Sequence, residues 1–136
     1  GLDSLADDLS GFIAALGLSG VTVLGHSMGA RIAIRAATRS PAGMARLLLV
    51  DPPVSGPGRR PYPSKLAWYV DSIRQAEKGI DAEAMRAFCP TWSHEQLALR
   101  AEWLHTCFEP AILTAFEGFH TDDIHGDLPA FPSLLA

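Results

Sequence analysis

Within Gly25-His26-Ser27-Met28-Gly29 a serine hydroxyl is flanked by glycine two residues away on each side. The spacing is G-x-S-x-G, in which the central serine sits on a strained strand-to-helix turn with its Oγ pushed out above a sheet. Both glycines are expected to be needed, because strand and helix must pack closely around such a turn. A pattern this short arises by chance. Here the apolar run Val21 to Leu24 precedes it and a helical pattern follows, which is the context the motif requires.

A serine hydroxyl is a weak nucleophile at neutral pH, so it needs a base within hydrogen-bond reach, usually histidine, and a carboxylate to orient that base. It also needs two N–H donors for the tetrahedral oxyanion. The Met28 backbone would supply one, and the other is expected from a loop after an earlier strand that these residues do not include. Serine, acid, histidine is the chain order that accompanies this motif. Asp51 is the candidate acid, since it ends the apolar run Leu47-Leu-Leu-Val50; the alternative is that it merely turns the chain into Pro52-Pro53. His26, next to Ser27, is assigned a supporting role. His94, His105, His120 and His125 fall in the later helical region or its exit and read as exposed or hydrogen-bonded structural histidines, His120 and His125 being more open to a pocket role. The base is therefore expected outside these residues.

Three groups of candidate binding residues remain. Arg59 and Arg60 either fork a substrate carboxylate or form a solvated loop pair. Trp68, Tyr69, Trp92 and Trp103 either line an apolar pocket or pack a helical core. Cys89 and Cys107 read as reduced thiols, and Cys107 with His105 is only an i, i+2 pair on different helix faces, so no metal site is expected.

The elements that must hold these residues can be read in order. Leu5, Leu9, Phe12, Ile13 and Leu16 make a helical stripe over residues 3–16, with Asp3 as a candidate cap and Gly17 as a stop. Val21 to Leu24 and Leu47 to Val50 are continuous apolar runs, as in parallel strands buried on both faces, and a small-residue helix over 30–39 separates them. Strand, helix, strand implies an α/β sheet, and places Ser27 and Asp51 at the same C-terminal edge. The five prolines between Pro52 and Pro63 exclude a helix or central strand, so an extended connector follows. Helices are then expected over 64–78, 81–89, 93–108 and 110–119, the third opened by a capping box in Ser93-His-Glu-Gln96. The resulting division is 1–51 as core with the elbow, 52–127 as connector and helical lid, and 128–136 as the start of a truncated strand.

With 136 residues, 48% of them hydrophobic, the chain can bury a sizeable core. A net charge of −4 with 11 scattered Lys and Arg offers no basic stripe for nucleic acid. No apolar run approaches the roughly 18 residues of a membrane span. The opening Gly1-Leu2-Asp3 has neither a signal-peptide pattern nor an initiator Met, so the chain is expected to begin inside a longer product. Exposed sheet edges would then favour association or poor solubility.

Strand, elbow, helix, Asp51-terminated strand and helical insertion together resemble the α/β-hydrolase superfamily, over nearly the whole chain. More narrowly, Val50-Asp-Pro-Pro-Val-Ser-Gly-Pro-Gly-Arg-Arg60, Tyr62-Pro-Ser-Lys65, Trp68-Tyr-Val-Asp-Ser-Ile-Arg-Gln75 and Ala98-Leu-Arg-Ala-Glu-Trp-Leu-His-Thr106 are similar to N-formylmaleamate deformylases of bacterial nicotinic acid breakdown. The resemblance implies a partial α/β-hydrolase fold: central parallel strands with flanking helices and a helical lid, lacking the N- and C-terminal strands. It implies a cytoplasmic amidohydrolase without metal or cofactor, acting on a small molecule and releasing formate and maleamate. Ser27 would be its nucleophile, Asp51 its triad acid and the Met28 amide an oxyanion donor; Arg59, Arg60, Trp68, Trp103 and His120 are the candidates for substrate contact. The fragment alone is expected to be inactive. An esterase or carbon–carbon hydrolase of the same fold, and a non-catalytic binding domain, are the alternatives.

Overall fold

The three-and-four apolar spacing near the start forms helix α1, Leu2–Ala15, in the computed structural model, which describes residues 1–133. Its buried stripe is Leu2, Ala6 and Ile13, while Leu5, Phe12 and Leu16 of the expected stripe are exposed. Gly1 is the N-cap, not Asp3. The Asp3 carboxylate lies in the first turn and pairs with Arg35 and Arg39 instead.

Strand β1, Val21–His26, helix α2, Met28–Arg39, and strand β2, Met44–Val50, follow as the apolar runs predict. The strands are parallel neighbours, running from Thr22 opposite Arg46 to His26 opposite Val50, with an irregularity between Val21 and Thr22. Helix α2 packs on both strands and on α1. Its small residues Ala30, Ala33, Ala36 and Ala37 are buried, and Ile34 joins Leu2 and Ile124 in the core.

The strands are not buried on both faces. Along β1, Gly25 is buried and Val21 and Val23 are half-buried, but Thr22, Leu24 and His26 are exposed. Leu48, Leu49 and Val50 of β2 are exposed as well. Successive strand residues point to opposite faces. With α2 against one face, every second side chain of β1 stands on the other, where Leu24 is 64% exposed.

Two compact units emerge, one formed by Gly1–Tyr62 with the chain from Glu117 on, the other by Pro63–Phe116. Composition divided the chain after residues 51 and 127; in the structure the connector to Tyr62 and the end of the last helix group with the strands. The second unit carries α3, Leu66–Ala76, the short α4, Ala82–Met85, α5, His94–Leu104, and most of α6, Glu109–Thr121. Met85, Cys89 and Leu97 form its core, surrounded by Ile80, Ala82, Phe88, Ala101 and Leu104. The capping box is present: Gln96 N–H donates to Ser93 Oγ at 3.2 Å, and Ser93 N–H to Gln96 Oε1 at 2.9 Å.

From Leu128 the sequence suggested the start of a strand, but His125–Ser133 is a 3₁₀ helix. Pro129 and Pro132 each lack the N–H a ladder needs, and Asp127 is tied to Arg35 Nε at 2.7 Å. Residues 134–136 of that expected strand lie outside the described residues. No helix among those described is long and apolar enough to cross a membrane.

Candidate active site

Ser27 stands between β1 and α2 with φ 52° and ψ −118°, as the N-cap of the helix. Holding a side-chain-bearing residue there costs about 1–3 kcal/mol. The surrounding backbone enforces it. Ser27 N–H donates to Val50 C=O at 2.9 Å, while Ser27 C=O accepts from Ala30 N–H at 3.0 Å and Arg31 N–H at 3.4 Å. A Cβ at Gly25 would strike the Gly29 carbonyl oxygen and lie 2.6 Å from its carbon and 2.7 Å from Ala30 N, so strand and helix touch backbone to backbone. The expectation for Gly29 differs: a Cβ there meets nothing within 4 Å among the described residues.

The sheet register puts Asp51 beside this turn. His26 faces Val50, so Ser27 and Asp51 are the next residues on strands spaced about 4.8 Å apart. Asp51 has φ 46°, and among the described residues it and Ser27 are the non-glycine positions with positive φ. Met28 is the first residue of α2, so its N–H belongs to the helix N-terminal turn beside the hydroxyl. His26 is exposed at the end of β1, on the open face of the sheet with Thr22 and Leu24.

The other candidates are dispersed. Arg59 and Arg60 are exposed on the connector. Arg59 lies within electrostatic reach of Asp123, whose carboxyl is held below the usual range chiefly by the His125 backbone N–H. His125 Nε2 engages Val54 C=O at 3.1 Å. His120 is exposed near the end of α6. Trp68 and Trp103 belong to the second unit. Trp68 works structurally there: its indole N–H donates to Phe88 C=O at 2.9 Å, its ring is near-perpendicular to that of Tyr69, and the Arg100 guanidinium lies 4.8 Å over its ring. Trp103, 61% exposed, borders with Trp92, Leu99 and Arg100 an open groove of about 430 Å³ along α5. Among the described residues no cluster of three His, Cys, Asp or Glu is arranged for a metal ion.

Arg31 was not among the sequence candidates. It is 2% exposed. Nη1 donates to Pro53 C=O at 3.1 Å and Ser55 C=O at 2.9 Å, and Nη2 to Gly118 C=O at 3.3 Å and Asp122 C=O at 2.6 Å. The guanidinium also lies 5.5 Å from the Phe119 ring centre, and Phe119 stacks on Tyr62 at 4.2 Å. Burial pushes its pKa down, opposed by the Asp122 charge. A signal existed in the sequence: an arginine between Ala30 and Ala33 falls on the small-residue arc of α2, where a charge requires a partner.

A strand, a strained serine backed by glycine, a helix and a second parallel strand followed by an acid make the strand–turn–helix–strand arrangement of an α/β fold. The chain belongs to the α/β-hydrolase fold family, whose profile matches residues 1–116. It spans about half the length of the relatives it matches. It is 66% identical over 137 residues to N-formylmaleamate deformylase of Pseudomonas putida KT2440, covering 99% of this chain and 51% of that protein. A crystal structure of a serine-to-alanine variant of the N-formylmaleamic acid deformylase of Pseudomonas putida S16 matches with a TM-score of 0.88 at 62% identity, covering 94% of this chain and 50% of the other.

Proposed function

We propose that this chain carries the nucleophile and the triad acid of a serine amidohydrolase that converts N-formylmaleamate and water to maleamate and formate. The pairing of Ser27 and Asp51, both at positive φ on adjacent strand ends, carries the reading of hydrolysis. The substrate rests on the likeness to the two Pseudomonas deformylases. Ser27 Oγ attacks the formyl carbon while a histidine takes its proton, and the Met28 N–H donates to the developing oxyanion. The C–N bond then breaks, the histidine returns the proton to the leaving nitrogen, and maleamate departs. Water attacks the formyl-serine, and formate leaves as the hydroxyl is restored.

Asp51 orients that histidine, which on this reading comes from the part of the relatives' length the chain does not span. The 136 residues by themselves are then inactive, and the full enzyme acts in the cytoplasm. Arg59, Arg60 and His120 remain candidates for the substrate carboxylate. Formate release from N-formylmaleamate by the complete gene product tests the reading. Ser27→Ala is expected to lower kcat by about a thousandfold or more. Turnover of p-nitrophenyl esters with no formate from the amide would sink the deformylase assignment in favour of an esterase. A Ser27→Ala protein as active as the parent would sink hydrolysis by this serine.

A further inference from the structure

Arg31 sits one helical turn beyond the nucleophile, and its own backbone N–H donates to Ser27 C=O at 3.4 Å. Its side chain grips the chain just past Asp51, through Pro53 C=O at 3.1 Å and Ser55 C=O at 2.9 Å. Between Asp51 and that grip lie only Pro52 and Pro53, whose ring-locked φ angles leave few torsions to absorb movement. On its other side Asp51 is fixed by the β1–β2 ladder, which ends at Val50. The same guanidinium holds Gly118 C=O and Asp122 C=O, and the connector lies so close that a Cβ on Gly56, at φ 151°, would stand 3.0 Å from Asp122 O.

All four Nη–H groups are thus spent on carbonyls and the side chain is buried, so the Nη fork is not open to a substrate carboxylate. We propose that Arg31 is a positioning residue: it links the nucleophile's helix to the segment after Asp51 and thereby sets the carboxylate relative to Ser27. The role rests on the serine–acid reading above. A lysine preserves the charge but cannot reproduce the planar fork whose four Nη–H groups hold the four carbonyls, so Arg31→Lys lets the Asp51 segment shift while keeping a buried cation.

The test is a set of variants in the complete gene product, assayed for formate release from N-formylmaleamate. Arg31→Lys is expected to lower kcat by about ten- to a hundredfold, with KM changed less than about threefold, since a misplaced triad acid affects the chemical step. In an Asp51→Asn background, the same Arg31→Lys change is expected to lower kcat by less than about twofold further, because the group it positions is already disabled. Full additivity of the two losses, or a kcat for Arg31→Lys within twofold of the parent, overturns the proposal. Should Arg31→Lys fail to fold, Pro53→Gly releases the lever while leaving the arginine, and an unchanged kcat there overturns it equally. Ser27→Ala separates the two levels. If it abolishes turnover while Arg31→Lys and Pro53→Gly do not slow it, Arg31 positioning falls and the hydrolase reading stands; if Ser27→Ala turns over normally, both fall.

Discussion

In the first unit one guanidinium binds four carbonyls that lie 22 to 91 residues away in sequence, and a second, Arg35, reaches Asp3, Asp123 and Asp127. The second unit is assembled differently. Most of its side-chain hydrogen bonds join residues three to six apart, as at Ser93 with Gln96, Asp81 with Ala84 and Arg86 with Glu83, around a small core of Met85, Cys89 and Leu97. Longer links also occur, among them Trp68 to Phe88, Arg74 to Glu109 and Arg100 over Trp68. The unit that carries Ser27 and Asp51 is therefore organised by distant polar contacts that fix backbone position, and the other by local caps and apolar burial. Directional bonds locate atoms, whereas apolar burial mainly holds surfaces together.

Removing the central polar group should do most damage. Arg31→Met leaves four carbonyls without their donor and is expected to cost about 3–5 kcal/mol in denaturant titration. A loss below 1 kcal/mol would mean that the first unit does not depend on this knot. Leu97→Ala, at a fully buried position, should cost about 2–5 kcal/mol through a cavity. Hydrogen exchange after that change should accelerate in α4 and α5 and not in residues 52–56; equal acceleration in both would break the contrast between the units.

Gly25→Ala forces a methyl against the Gly29 backbone and is expected to cost about 1–3 kcal/mol. Gly29→Ala serves as its control and should be milder, since a Cβ there meets nothing among the described residues. Ser93→Ala removes a local cap and should cost about 1 kcal/mol, seen as a lower melting temperature. The smallest effect belongs to the exposed Arg74–Glu109 pair. The Arg74 hydrogen bond holds the Glu109 carboxyl below its ordinary value. Its stabilisation is present above the ordinary glutamate range and disappears as pH falls through the lowered folded value. Comparing parent and Glu109→Gln melts from neutral to acid pH should show the difference closing, and added salt should shrink it.

The same contrast explains what the sequence could reveal. The elbow is a local device, so Gly25, Ser27 and the flanking strand and helix are visible from spacing, and so are the Ser93 box and the stop at Asp51. Burial depends on what lies across a sheet, which no local pattern contains; Leu24 and Leu48 read as interior and are exposed in a chain that spans about half the length of its relatives. The run from Leu128 looked like a strand because its apolar residues outweighed Pro129 and Pro132. Trp68 and Trp103 could be read as pocket walls or as helical core because an aromatic ring reads alike in a core, a groove or a site; Trp68 packs within the second unit and Trp103 borders the α5 groove. Arg31 escaped notice because its four partners lie 22 to 91 residues away, and only folding brings them to one place.

Cys89 has a practical consequence. The chain holds two free thiols, Cys89 at 6% exposure against Met85 and Leu97, and Cys107 half-buried beside the α5 groove. A thiol-reactive dye should modify Cys107 in the folded protein and reach Cys89 only when the second unit opens. The Cys89 labelling rate divided by its rate in the unfolded chain then gives the opening equilibrium of that unit, and the first unit, which has no cysteine, stays silent throughout.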